Sequence, residues 1–374
     1  MRSVQRINRG VSACFLSRYG SSIFIILHTP ESLSPDKFVG DKQEGDFHSL
    51  SYFFILTNSY KTSVMNRKNF LKNSLLAGTA LSTGTVFTNQ KKDHLNKSDL
   101  LQKHDFKLKY SPHFGMFENH AGRDLLDQLQ FMSDVGFRGF EDNGLMRRSP
   151  ETQERIGKEL ARLDMQMGVF VIDKGGNGAN SFTAGNSEYT NIFVEACKEA
   201  VEVAKRVNAT WMTVVPGNFT RHLPLDIQTS HVIDTLRLGA EIFEPHGLVM
   251  VLEPLSDTPD LFLRTSVQTH MICRAVDSPA CKILYDVYHL QKNEGNLITN
   301  IDYCWDEIAY FQLGDNPGRK EPGTGEINYK NIFKHIYDKG FDGIMGMEHG
   351  KSMDGEEGEL ALIDAYVRAD DFET

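Results

Sequence analysis

From Phe106 onward the chain alternates short apolar runs with longer amphipathic stretches, and this alternation restricts the fold more than any single motif. The apolar runs predicted as strands are Lys107 to Pro112, Gly139 to Asp142, Gln166 to Ile172, Trp211 to Val215, Leu248 to Glu253, Lys282 to Asp286, Ala309 to Gly314 and Gly343 to Glu348. Helical patterns are read at Arg123 to Val135, Thr152 to Leu163, Tyr189 to Val207, Leu225 to Pro245, Ser266 to Val276, Leu297 to Tyr303, Tyr329 to Lys339 and Gly358 to Arg368. Strand and helix in strict succession imply a parallel sheet, because only parallel neighbours need a crossover after every strand. Gly136, Gly247 and Gly340 follow three of the helices, where a left-handed cap suits a residue without Cβ. Eight right-handed units close into a (β/α)8 TIM barrel. The competing open, doubly wound sheet is disfavoured: no Gly-x-Gly-x-x-Gly follows the first strand, and polar residues mark many strand ends instead of one crevice.

In such a barrel the carboxyl ends of the strands converge on one mouth, so residues far apart in sequence can form one site. Four successive predicted strands end in oxygen-bearing side chains: Glu253, Asp286, Gln312 and Glu348. Three carboxylates and one amide oxygen form a hard shell that favours Mg2+ or Mn2+ over a thiolate-seeking metal. The strand bearing Gln312 breaks into a loop punctuated by Pro317, Gly318, Pro322, Gly323 and Gly325, a composition that makes for a stiff turn. Asp315 stands at its start and Arg319 beside Lys320 within it. An arginine there offers a planar, two-pronged donor for a carboxylate.

The run Phe-Gln-Leu-Gly-Asp-Asn-Pro-Gly-Arg-Lys-Glu-Pro-Gly-Thr-Gly-Glu-Ile-Asn-Tyr, ending at Tyr329, closely resembles the hydroxypyruvate isomerase family, within the wider xylose-isomerase-like sugar isomerases and epimerases. The resemblance extends over roughly Phe106 to the C-terminus, and it is specific in this loop and looser elsewhere. It implies that Glu253, Asp286, Gln312 and Glu348 hold a divalent metal, with Gln312 where related epimerases often carry histidine. It also implies that Glu253 and Glu348 are the base and acid that move a proton between adjacent carbons through an enediol. The implied reaction interconverts hydroxypyruvate and tartronate semialdehyde. A ketose 3-epimerase would use the same two carboxylates, and a sugar-binding barrel without chemistry is the alternative of another class. Within the resemblance Arg319 is the best candidate for a substrate anion. His289 is read either as a donor to the reacting oxygen or as a residue orienting a ligand. His113 and His222 are assigned to substrate binding, with Phe117 and Glu141 as further wall residues. Glu326 is read as capping the helix that starts at Tyr329, and the Gly-rich stretch after Lys174 as a mobile lid, since it lacks the Gly-Lys-Ser/Thr ending of a phosphate loop.

A formal charge of -10 and a pI near 5.7 argue against a phosphate-backbone binder, so nucleic acid is not expected as a partner. The expected partner is a small hydroxy-carbonyl or sugar substrate, and the oligomeric state stays open, a homo-oligomer included. Five cysteines, Cys14, Cys197, Cys273, Cys281 and Cys304, show no metal spacing and no even-numbered framework, and they read as buried apolar residues. Residues 1–64 lack periodicity and are expected to be a poorly structured, non-native or disordered extension. From Met65 a basic segment containing Arg67, Lys68 and Lys72 precedes a run of small and apolar residues, the layout of a secretory leader resembling a twin-arginine signal with lysine as the second basic residue. It is too short for a stable membrane span. The expected boundaries are therefore 1–64 extension, 65–104 leader and linker, and 105–374 barrel, with a periplasmic or exported location if Met65 is the start and a cytoplasmic one otherwise.

Overall fold

The computed structural model describes residues 96–374 in full and, as backbone only, residues 4–8, 11–18 and 21–28. The chain divides into two units, residues 1–87 and 88–374. In the first, Val4–Asn8, Val11–Arg18 and Ser21–His28 pair as a three-stranded antiparallel sheet, in a stretch where sequence periodicity gave no strands. Residues 65–95 of the leader-like segment lie outside the described residues.

The second unit contains a ring of eight parallel strands. These are β1 (Lys109–Ser111), β2 (Gly139–Phe140), β3 in two pieces (Gln166–Met167 and Phe170–Val171), β4 (Trp211–Val214), β5 (Val249–Leu252), β6 (Cys281–Asp286), β7 (Ile308–Gln312) and β8 (Ile344–Gly346). All eight fall inside the runs predicted from sequence or within one residue of them. β8 returns to β1 through the pairs Ile344 with Lys109, Met345 with Tyr110 and Gly346 with Ser111, and β2 joins the ring through β3 and a bridge between His113 and Glu141. β3 is interrupted at Gly168, where any side chain would collide with the Tyr310 hydroxyl.

Outside the ring run α1 (Leu125–Val135), α2 (Pro150–Arg162), α3 (Ser187–Val207), α4 (Leu225–Phe243), α5 (Ser266–Val276), α6 in two pieces (Val287–Asn293 and Leu297–Cys304), α7 (Tyr329–Asp338) and α8 (Gly355–Asp370). Asp124, Ser149, Asn186 and Thr265 cap α1, α2, α3 and α5 by accepting from first-turn N–H groups, each worth about 1 kcal/mol. Gly136 and Gly340 adopt positive φ after α1 and α7, and Gly247 ends a 3-10 turn that prolongs α4. The cap of α7 is Asn328, which accepts from Asn331 N at 3.2 Å. Glu326 instead accepts from the side chains of Gln291 and Asn316, so its expected capping role belongs to the residue two positions on, whose short amide reaches the first turn. Upstream of Phe106 a short helix, Lys97–Leu100, buries Leu100 in the core, so the folded unit includes residues ahead of position 105.

Strand periodicity decides which side chains enter the ring. Met250 and Leu252 of β5 pack outward under the helices, whereas Val251 joins Val169, Leu284, Tyr310 and Ile344 in a separate inner cluster. Continuing the period of two turns Glu253, Asp286, Gln312 and Glu348 inward at the carboxyl ends of β5 to β8, and does the same for Glu141 after β2. Cys197, Cys273, Cys281 and Cys304 are buried and free, as the cysteine spacing implied. Among the described residues no helix is long and apolar enough to cross a membrane.

Candidate active site

Glu253, Asp286 and His289 meet with their ligand atoms within 4.8 Å of one another, all three buried. β6 runs directly into α6, so Asp286 is at once the last strand residue and the helix cap, accepting from His289 N at 3.0 Å through Oδ1. That cap fixes His289 one turn into the helix and above the strand ends.

The hydrogen position on His289 follows from its partners. The backbone N–H of Ser256 approaches Nδ1 at 3.2 Å and the Ser256 hydroxyl lies 2.7 Å from it. A backbone N–H only donates, so Nδ1 accepts and the neutral ring carries its hydrogen on Nε2. Burial also pushes the histidine pKa down, favouring that neutral form. Nε2 points between Asp286 Oδ2 at 3.7 Å and Glu253 Oε1 at 3.9 Å. By distance His289 could be a ligand; by its hydrogen it is a donor.

Glu348 approaches from β8. Its Oε1 accepts from Asn143 Nδ2 at 2.9 Å and its Oε2 from Arg319 Nη2 at 2.8 Å. Arg319 also donates through Nε to the Glu348 carbonyl at 3.1 Å, reaches Asp286 Oδ2 at 3.4 Å and lies 5.1 Å above the Tyr288 ring. Arg319, the candidate for a substrate anion, thus bridges two carboxylates of the protein.

The arginine is held by its loop. Asp315, fully buried, accepts from Gly323 N at 2.8 Å, Gly325 N at 2.9 Å and Ile327 N at 3.0 Å. A side chain at Gly325 would collide with the Asn316 carbonyl. The Pro/Gly loop is therefore wrapped around one carboxylate.

Glu253, His289, Arg319 and Glu348 line a cavity of about 250 Å³, whereas Asp286 and Gln312 are buried and do not line it. Its wall is completed by Asn143, Arg147, Val171, Lys174, Val215 and Asp257. Two larger hollows, of about 940 and 600 Å³, lie along α3 and between the 321–330 loop and α8, and hold none of the strand-end residues. The expected lid lines the cavity through Lys174, Gly176 and Asn177, but the Lys174 ammonium turns back onto the carbonyls of Gly176 and Ala179. His222 is exposed on the turn before α4 and His113 spends Nδ1 on the Phe114 carbonyl at 2.8 Å; neither lines the cavity. Phe117 is sealed in the aromatic core against Phe131 and Phe137.

Charge and hydrogen bonding both leave room for a cation. Glu253, Asp286 and Glu348 face a single guanidinium. Desolvation, reinforced by the neighbouring carboxylates, raises the pKa of Glu253 well above the ordinary value; desolvation also raises Glu348, to about 7, although Arg319 pulls it down. Glu253 Oε1, His289 Nε2 and Gln312 Oε1 are buried without a hydrogen-bond partner. Each such orphan costs about 1–3 kcal/mol when left unsatisfied. A hard divalent ion touching the oxygens would relieve that cost and lower the carboxylate pKa values. The donor set therefore fits the expected metal.

Asn143, Ser256 and Asp257 were not singled out in the sequence. The legible signal was the Asp286-x-x-His289 spacing, which is that of an N-cap and the residue whose N–H it accepts.

A sequence profile described as "Xylose isomerase-like TIM barrel" matches residues 129–366. The hydroxypyruvate isomerase of Escherichia coli is 34% identical over 140 residues, 36% of this chain and 53% of that protein. The 2-oxo-tetronate isomerase of Pectobacterium atrosepticum is 32% identical over 161 residues, 42% of this chain and 62% of that protein. The chain thus spans between about half and two thirds of the length of these relatives. Among solved structures, a D-psicose 3-epimerase from Clostridium cellulolyticum, determined with D-tagatose, superposes with a TM-score of 0.59 at 15% identity, covering 70% of this chain and 97% of that one. The IOLI protein, determined with a bound zinc atom, gives 0.55 at 15% identity, covering 70% and 95%. With the ring, its strand-end carboxylates and the profile in agreement, the chain belongs to the xylose isomerase-like TIM barrel family.

Proposed function

We propose that this protein is a metal-dependent isomerase of small hydroxy-carbonyl acids, moving a proton between adjacent carbons in the manner of hydroxypyruvate to tartronate semialdehyde. The observation that carries the reading is that Glu253 and Glu348 line one cavity from strands three apart around the ring, with the Glu348 charge helping to raise the Glu253 pKa. Two carboxylates approaching from different sides can take a proton from one carbon and return it to the next. Burial raises both, Glu348 to about 7, so Glu348 can hold as well as release a proton near neutrality.

Glu253, Asp286, Gln312 and Glu348 would hold the divalent ion, Mg2+ or Mn2+. When bound, it supplies Lewis-acid polarisation of the substrate oxygens, worth several kcal/mol in typical sites. His289 donates from Nε2 to the oxygen that gains charge. Arg319 keeps Glu348 and Asp286 in place and offers its remaining donors to the substrate carboxylate. The names of the curated relatives support the isomerase reading, while the likeness to the epimerases extends to the fold.

The reading is tested by incubating Mn2+-loaded protein in deuterium oxide with hydroxypyruvate, 2-oxo-tetronate, fructose and tagatose. Turnover with deuterium uptake on an acid substrate is expected. Turnover of the ketoses alone would make the protein a 3-epimerase, and no exchange on any of them would make it a binding barrel. We further propose export from a start at Met65; a native N-terminus at Met1 would end that idea.

A further inference from the structure

An amide is a peculiar metal ligand because its two ends are nearly the same shape and opposite in character. If Gln312 rotated by half a turn about its last bond, it would aim N–H groups at the cation; a carboxylate has no wrong end. Something must hold the amide, and resting on the metal reading above, the surroundings of Gln312 show what does.

Gln312 Oε1 is the buried orphan, while the rest of its side chain and the Glu141 carboxyl meet over Gly346, where a Cβ would touch both, and donation from the amide draws the Glu141 pKa down against its desolvation. Glu141 is itself buried beneath the site and fixed from a second direction, its Oε2 accepting from the Tyr310 hydroxyl at 3.0 Å. The Tyr310 oxygen in turn accepts from Val169 N at 3.4 Å, which leaves the phenol hydrogen for Glu141. A carboxyl oxygen accepts whether the group is charged or protonated, so the restraint on the amide persists in both forms. The backbone makes room for the arrangement: a Cβ at Gly346 would run into the Glu141 carboxyl, and one at Gly168 into the Tyr310 hydroxyl. β3, β7 and β8 thus all contribute to seating one carboxyl that does not line the cavity.

We propose that Glu141 is a positioning residue: with Tyr310 and the space left by Gly346, it locks the Gln312 amide so that its oxygen, and not its nitrogen, faces the ion site.

The test is a Mn2+ titration of the full chain, free Mn2+ being read by electron paramagnetic resonance, with thermal melts alongside. Gln312→Leu is expected to weaken binding. Glu141→Leu is expected to weaken it about tenfold, the low end of what lost supporting contacts usually cost. In a Gln312→Glu background, where either end of the side chain presents oxygen, Glu141→Leu is expected to lose less than twofold. Glu141→Gln, which keeps an acceptor oxygen, is expected to stay within about threefold of the parent. Should Glu141→Leu not fold, Tyr310→Phe, which removes the hydroxyl that fixes the Glu141 carboxyl, supplies the same comparison in the two backgrounds. Equal loss in both backgrounds, or loss in neither, overturns the positioning role. Full affinity in Gln312→Leu overturns it in a distinguishable way, since the amide would then be no ligand.

Discussion

The two halves of the ring do different work. β5 to β8 each end in a group that faces the ion site, Glu253, Asp286, Gln312 and Glu348, and the loop after β7 adds Arg319. β1 to β4 contribute wall, through Asn143 and Arg147 after β2, Val171, Asp173 and Lys174 around the end of β3, and Val215 after β4; Asp173, their carboxylate in the lining, pairs with Arg147 at 3.4 Å. On the proposed reading, proton transfer belongs to rigid strand ends and substrate choice to loops, a division in which specificity can change while chemistry stays.

Attacking the chemical half should give the largest effect. Glu253→Gln or Glu348→Gln is expected to cut deuterium exchange at least a thousandfold, while thermal unfolding shifts by about 1 kcal/mol or less because glutamine keeps the shape and one acceptor oxygen in a site where desolvation already disfavours the charge. Near-normal exchange in either variant would erase the distinction. Chelation should have a comparable but reversible outcome: activity lost with EDTA and restored by Mn2+ or Mg2+. The ion should also raise the melting temperature, by the equivalent of about 2.7 kcal/mol at a hundredfold excess over its Kd.

Loosening the loop is the intermediate case. Asp315→Ala leaves three N–H groups of the 323–327 segment without their acceptor and is expected to cost about 2–4 kcal/mol of stability, with turnover falling roughly tenfold as Arg319 loses its seat. A melt and a kcat measurement decide it. On the other half, Arg147→Ala is expected to raise KM for acid substrates about tenfold with kcat nearly unchanged, and to leave neutral sugars alone. A fall in kcat instead would move Arg147 into the chemical half. Smallest of all, Lys198→Ala removes an exposed pair with Glu195 at 2.7 Å on α3 and is expected to change stability by less than about 0.5 kcal/mol.

What could be read before the structure follows the same division. The eight strands and the strand-end carboxylates were legible because an apolar run ending in an acid carries its own periodicity. The Asp286 to His289 step was visible as spacing, but the short helix beginning at Val287 was hidden because it starts with no intervening turn. Partners supplied by a different loop left no mark: Ser256, which sets the His289 tautomer, and Asn143, which holds Glu348, are ordinary polar residues until the ring closes. Arg319 was identified as the important cation, but its engagement with two acids depends on a backbone turned to φ 49°, which a Gly/Pro-rich composition permits without specifying. His222 illustrates the converse, a histidine near a strand end whose loop carries it to the surface.

Asp370, near the end of α8, accepts from Lys107 N at 2.7 Å and from the Tyr110 hydroxyl at 2.8 Å, across 263 and 260 positions. Together with the pairing of β8 on β1, this clasp joins the first-made part of the barrel to the last-made part. Without the segment from Ile344 to Asp370 the ring lacks both β8 and this clasp, so closing the barrel and seating Lys107 and Tyr110 draw on the same stretch of chain.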